Sequence, residues 1–537
     1  MICLRGVSGS RSLLASSRRH LPTFRTFSQS CVSSKTSDPN SRDRWNYNES
    51  SLFDVEDPSA LPHQTFRRVT ASQLAKQAKE PPRRVKMLSR DFIDDALYNP
   101  HYGYFPKQAT IFTPETPFDF AEIPNSRVFH QAVAERYRDY RLEAGVGTGP
   151  GRQVWHTPTE LFKVKGVSSD WSSRCLISEY LLKYFPYEDL VIYEIGAGNG
   201  TLAENILDFL QIEHPEVYER TRYRIIEISG SLAEKQTDRL QRRHAGIAEV
   251  LHKSVFDWTE QEPAPCFFLA MEDNFAHDII RYEYETLRPL QAIVAINQLG
   301  DFFELYEPAH DPLISRFLNL RSRIRHNSPA FAPSLANNSF MRAIRPYLPF
   351  APNMTQREFI PTKLLEFLVL IHEKFPRHRL LLSDFSSLPD TIPGYNAPVV
   401  QTRVNDMMIP CETYLVHQGY FDIFFPTNFD LLRDMYESVV GGGDDERGTR
   451  ASPLGSVAGS IKLGSNFFSP QGRRKPIEGV LSSSGLAVGE RKSNVYAHRE
   501  FLEKYADLDA TTLRNGENPI QSTSKDPNNT LRTHNPA

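Results

Sequence analysis

Three glycines at alternate positions, Gly196, Gly198 and Gly200, follow an apolar run that carries Glu194 near its end. The stretch at 191–207 reads VIYEIGAGNGTLAENIL, the outline of a strand, a glycine-rich turn and a helix. Glycine lets the backbone turn tightly and approach a ligand with no Cβ in the way. Strand–turn–helix units of this kind serve nucleotide-type cofactors, and two cofactor classes share the outline. A dinucleotide site asks for GxGxxG, but Thr201 stands where its last glycine would fall. Glu194, two residues ahead of the turn, repels a pyrophosphate and suits the ammonium on the amino-acid end of S-adenosylmethionine.

Two further acids agree with that choice. The run YRIIEIS puts Glu227 at the tip of a second strand, one βαβ spacing downstream, where a carboxylate can accept from both ribose hydroxyls. Ser231 and Glu234 read as a capping box for the helix expected to follow. In SVFDW, Asp257 ends an apolar run and is placed for an adenine amino group, with Trp258 or Phe256 over the ring. The expected cofactor is therefore S-adenosyl-L-methionine. Its expected contacts are Glu194, Gly196, Ala197, Gly198 and Gly200 in the turn, Glu227 and Ile228 at the second strand, and Asp257 with Trp258 at the third. His277 beside Asp278 reads as structural, and Asp384 as a turn-starting acid. Cys411 has no evident activating base.

Residues 191–310 alternate short apolar runs with amphipathic stretches, which predicts an α/β fold with a parallel, doubly wound sheet. The runs are VIYEIGAG, YRIIEIS, IAEVLHKSVF, CFFLAMED and LQAIVAINQ; later strands are HRLLLSDF and YFDIFFP, with helices at 311–326 and 358–375. The chain of 537 residues, 40% hydrophobic and 24% charged, is long enough for one large domain with appendages. A formal net charge of −3 gives no nucleic-acid signature. No apolar run reaches the roughly 18 residues of a membrane span. Five scattered cysteines without a CxxC pair give no metal site and no disulfide framework.

The organisation expected along the chain is as follows. Residues 1–37 are rich in Arg and Ser with no acid before Asp38, the composition of a mitochondrial transit peptide, and removal is expected after Phe27. Residues 38–85 read as a linker, and 86–440 as the main domain, with its cofactor-binding core at 186–310. Residues 441–492 are Gly/Ser/Pro-rich and read as disordered, as does the tail at 511–537. Between them, 493–510 form a docking helix with Phe501, Leu502, Tyr505 and Leu508 on one face.

The pair YEIGAGNGTL and IIEISGSLAEKQ resembles the MidA family of mitochondrial and bacterial methyltransferases, with Glu227, Ser229, Leu232 and Gln236 on the family's V-E-V-S-P-x-L…Q positions and Gly230 in place of its proline. HTPTELF resembles the family's T-x-P-E segment and aligns Glu160, while YGYF aligns Tyr104 with its GYY. The resemblance covers roughly 86–436. It implies a class I methyltransferase fold, a Rossmann-like doubly wound sheet with an N-terminal helical and loop extension and a disordered C-terminal tail. It also implies S-adenosyl-L-methionine as donor, the mitochondrial matrix as compartment, and arginine N-methylation of a respiratory complex I subunit during assembly. The chain departs at the fourth strand, where the family has E-[FL]-[FL]-D-A-L-P. Met271-Glu272-Asp273-Asn274-Phe275 matches both acids only with about two residues missing.

An arginine acceptor presents a planar cationic fork that carboxylates match. Glu272 and Asp273, at the carboxyl end of a sheet strand, and Glu160, approaching from the N-terminal segment, are the expected catalytic acids. Two other readings stay open: an assembly or binding factor that keeps the fold without catalysis, and a small-molecule methyltransferase.

Overall fold

The computed structural model of the chain describes residues 2–7, 65–108, 110–114, 116–143, 151, 154–155, 157–162, 171–271, 275–330, 353–404, 407–440 and 493–522. A seven-stranded sheet lies at its centre. Its strands are β1 (Ile2–Val7), β2 (Leu190–Ile195), β3 (Thr221–Glu227), β4 (Ala248–His252), β5 (Cys266–Met271), β6 (His378–Ser387) and β7 (Asn494–Ala497). They lie in the order β7-β1-β6-β5-β2-β3-β4, with every neighbouring pair parallel. Consecutive residues of β2 and β5 are buried without alternation, as parallel strands covered on both faces require.

Helix α1 (Thr201–Glu213) follows β2, and α2 (Gly230–His244) joins β3 to β4. With the helix Trp171–Lys183 they cover one face, where Leu176, Ile192, Ile206, Leu210, Tyr223 and Leu240 share a core. The opposite face packs Tyr193 and Phe268 against α3 (Thr362–Lys374) and α4 (Phe429–Val440), through Leu365, Phe375 and Met435. An antiparallel sheet built on the strand Pro289–Ile296 flanks this body, and a smaller one is centred on Val399–Val404.

Several expectations change. LQAIVAINQ is the middle strand of the antiparallel sheet and not part of the parallel one. A strand buried on both faces reads as the same apolar run in either setting. The linker expected at 38–85 is partly structured. Ala71–Gln77 is a helix whose capping box joins Thr70 and Gln73, and Val69 and Leu74 are buried. Ile2–Val7, expected outside the fold, pairs in parallel between β6 and β7 and takes up the backbone hydrogen bonds of both neighbours. Most of the transit-peptide region, at 8–37, lies outside the described residues, as does 441–492. The docking helix is shorter than expected, His498–Tyr505, preceded by strand β7. The tail expected to be disordered from 511 is built in as far as 522, with Leu513 and Ile520 buried.

Candidate functional site

The glycine turn sits at the carboxyl end of β2, where open α/β sheets bind ligands. Gly196, Gly198 and Gly200 have φ of +64°, +57° and +77°, so the turn uses the left-handed region at alternate positions. A Cβ on Gly198 would lie 2.7 Å from Ile111 Cδ1, so Ile111 packs directly on the backbone of the turn. The Gly200 amide donates to Ala197 O at 2.9 Å, and α1 begins at the next residue.

Glu227 is buried at the tip of β3. Its Oε1 accepts from the Ser229 amide at 2.8 Å and its Oε2 from Gln236 Nε2 at 2.9 Å. A carboxylate has about four acceptor positions, so both oxygens keep capacity for a pair of hydroxyls. Burial pushes the Glu227 pKa up, and the bonds from Ser229 and Gln236 pull it back. Gln236 also donates to Gly198 O at 2.7 Å, which ties the turn to the acid of the next strand. Composition and spacing gave no reason to single out Gln236. Its match to the family's glutamine was the one signal that could have.

Glu194 is buried beneath the turn and accepts from Tyr223 Oη at 2.7 Å. Ala197 and Ile228 are half-buried, and the Ile228 carbonyl lies 3.1 Å from His252 Nε2. Asp257 is exposed at the end of the short turn Val255–Asp257, capped by Ser254. Trp258 does not join it. Its ring is packed into the core edge-on to Tyr193 at 5.5 Å and against Phe375 at 5.0 Å, with Lys253 Nζ 3.6 Å from the ring centroid. Trp258 is thus placed in the core, and the half-buried Phe256 sits beside Asp257 in the short turn.

Of the three expected catalytic acids, Glu160 alone falls among the described residues. Glu272 and Asp273 lie outside the described residues, between the end of β5 and Phe275. His277 beyond them is stacked on Phe425 at 3.9 Å, and burial pushes its pKa down to about 4, so it is neutral. Asp278 is held by Arg90 and Thr362, each at 2.6 Å. Glu160 lies at the cofactor turn. Its Oε1 accepts from Thr201 Oγ1 at 2.5 Å and from Asn199 Nδ2 at 3.4 Å.

A short lid covers the turn. The strand pair Thr110–Ile111 and Val154–Trp155 lies over Gly198, and Asn199 Nδ2 donates to Thr113 Oγ1 at 2.8 Å. The helix Ser126–Glu143 holds the pair through Tyr140 Oη on Ile111 O at 3.0 Å and Tyr137 Oη on Val154 O at 2.8 Å. Among the described residues no cluster of His, Cys, Asp and Glu could hold a metal ion, and no helix is long and apolar enough to cross a membrane.

A parallel sheet in the order β4-β3-β2-β5-β6, a three-glycine turn after β2 and a buried acid at the end of β3 define an α/β protein built to hold an adenosyl cofactor. The profile of the S-adenosyl-L-methionine-dependent methyltransferases of family 28 matches residues 173–442, half of the chain, and the chain belongs to that family. Its cofactor is S-adenosyl-L-methionine, and the turn and Glu227 fit that group.

A Schizosaccharomyces pombe protein named protein arginine methyltransferase NDUFAF7 homolog, mitochondrial, is 29% identical over 287 residues. The match covers 51% of this chain and 61% of that relative's length. Among solved structures, a Burkholderia thailandensis superfamily member bound to S-adenosyl-homocysteine aligns with a TM-score of 0.38 at 12% identity, over 72% of this chain and 79% of that one. A native structure from the same organism aligns with a TM-score of 0.34 at 14% identity, over 59% and 79% of the two chains.

Proposed function

We propose that the chain is a mitochondrial protein arginine N-methyltransferase that modifies a subunit of respiratory complex I during assembly. The observation that supports the methyl-transfer half is the pairing of the Gly196–Gly200 turn with Glu227, bridged by Gln236. The arginine acceptor and the mitochondrion rest on the name of the Schizosaccharomyces pombe relative. The complex I substrate rests on the resemblance of the motif residues to the MidA family. The matrix as compartment rests on that resemblance and on the Arg- and Ser-rich composition of 1–37.

S-adenosyl-L-methionine supplies an electrophilic methyl group on a sulfonium. The chain's task is then to fix the acceptor nitrogen in line with that methyl and to receive the proton it gives up. Glu272 and Asp273 follow β5 in sequence, the carboxyl end of β5 lies at the same sheet edge as the turn, and we assign the two acids to hold the guanidinium. Glu227 and Ile228 face the ribose, and Asp257 with Phe256 the adenine.

The test is methylation by purified chain of complex I subunits isolated from cells that lack it, read by mass spectrometry. Arginine methylation by the wild type is expected, with a loss of about 100-fold or more in Glu272→Ala/Asp273→Ala. Unchanged methylation by the double variant overturns the assignment of those acids, and methylation on residues other than arginine overturns the acceptor. The shortened motif after β5 favours a second reading, a binding factor that holds the cofactor without transferring its methyl. Cofactor binding by the wild type with no methyl transfer to any complex I subunit would select it.

A further inference from the structure

Two carboxylates lie at the glycine turn, and their surroundings differ. Glu194, the acid that sequence alone assigns to the cofactor's ammonium, is already engaged by Tyr223 Oη at 2.7 Å beneath the turn. Glu160 is only 4% exposed, and its Oε1 is fixed by Asn199 and Thr201, the residues on either side of Gly200. Its Oε2 is buried with no hydrogen-bond partner among the described residues. A buried, unmatched carboxylate oxygen is costly, and native structures rarely keep one unless a water, a ligand or an ion completes it.

The cation already nearby does not complete it. Arg239 Nη1 lies 3.8 Å from the other oxygen, Oε1, and donates to Asn199 O at 2.8 Å and to Thr201 Oγ1. Its Nε lies 3.4 Å from Glu204 Oε2, so one guanidinium serves the turn and two carboxylates. Arg239 thereby stiffens the Asn199–Thr201 corner and leaves Oε2 of Glu160 for something else.

We propose that Glu160 is the residue that receives the α-ammonium of the cofactor's amino-acid end, as a binding group and not as a catalytic acid. The inference rests on the S-adenosyl-L-methionine cofactor and does not depend on the acceptor. It makes Glu160 a contribution from outside the stretch that matches the family profile, carried to the turn by the lid. A charge-assisted bond of this kind in a dry site is worth about 10- to 100-fold in affinity.

The experiment is isothermal titration of the full chain with three ligands. They are S-adenosyl-homocysteine, its desamino counterpart with hydrogen in place of the α-amino group, and 5′-methylthioadenosine, which lacks the amino-acid end. The wild type is expected to prefer S-adenosyl-homocysteine over the desamino compound by at least about tenfold. Glu160→Gln should remove most of that preference while 5′-methylthioadenosine binds unchanged, and Glu194→Gln should retain it. Equal binding of the two homocysteine ligands by the wild type overturns the proposal. So does a preference that survives Glu160→Gln, a parallel loss of all three ligands in it, or a loss that follows Glu194→Gln instead. If Glu160→Gln does not fold, Glu160→Asp replaces it, with a reduced preference expected and an undiminished one overturning the proposal. Failure of the wild type to bind any of the three would overturn the cofactor assignment instead.

Discussion

Gly198 carries more of the site than its size suggests. Its φ of +57° lies in the left-handed region, which costs an L-residue about 1–2 kcal/mol. A Cβ there would also push on Ile111, the lid residue above it. Gly198→Ala is therefore expected to weaken S-adenosyl-homocysteine about tenfold or more in a titration, with at most about 2 kcal/mol lost from global stability. Wild-type affinity in the variant would mean that the lid yields and the cofactor does not use this stretch of backbone.

His277 makes a second residue-scale prediction, on stability. Burial lowers its pKa from 6.5 to about 4, so the unfolded chain binds the proton more readily than the folded one. Stability should then be complete above about pH 6.5 and fall as pH drops towards 4, by up to about 3 kcal/mol from this group. Replacing the ring by a non-titrating one, His277→Phe, keeps the stack on Phe425 and should flatten that stretch of a denaturation-against-pH curve. An unaltered slope would assign the acid sensitivity to other groups.

At the scale of elements, β2, β3 and β5 with the turn and α1 were readable because their apolar runs, their glycines and their strand-end acids are local signals. Glu194, Glu227 and Asp257 all fall at strand ends or just beyond, as their spacing implied. What was not readable depends on partners distant in sequence. Pro289–Ile296 could not be assigned to a sheet from its composition: its hairpin partners 278–282 and 302–308 are close in sequence, but the strand 85–88 on its other edge comes from far upstream. Trp258 looked like a ligand platform, yet Phe375, more than a hundred residues on, claims its ring. Glu160 could be aligned but not placed, since its position depends on Asn199 and Thr201.

The lid is likewise an element held from afar. Phe112, Phe118, Phe129 and Leu161 share their core with Leu502, Leu513 and Ile520 of the C-terminal segment. Glu517 accepts from the Ser126 amide at 3.0 Å and from Ser126 Oγ at 2.7 Å, at the start of the lid helix. Leu502→Ala/Leu513→Ala is expected to cost about 2–5 kcal/mol per leucine locally. It should raise protease cleavage within 110–162 and weaken S-adenosyl-homocysteine, with the parallel sheet still protected in hydrogen exchange. Loss of protection across the whole sheet would mean that the lid and the sheet unfold as one unit.

For the molecule as a whole, the cofactor turn lies at 196–200, while its cover draws on residues from 110 to 162 and its clamp on residues from 498 to 522. Such contacts between distant segments must wait for a large loop to close. A chain that emerges N-terminus first can build β2, β3 and α1 early, but it cannot clamp the lid until residues 498–522 are available. The order of synthesis thus becomes a built-in delay: a chain that has not reached 498–522 would have the turn but lack the grip. Tight capture of S-adenosyl-L-methionine is then expected only once residues 498–522 have been made.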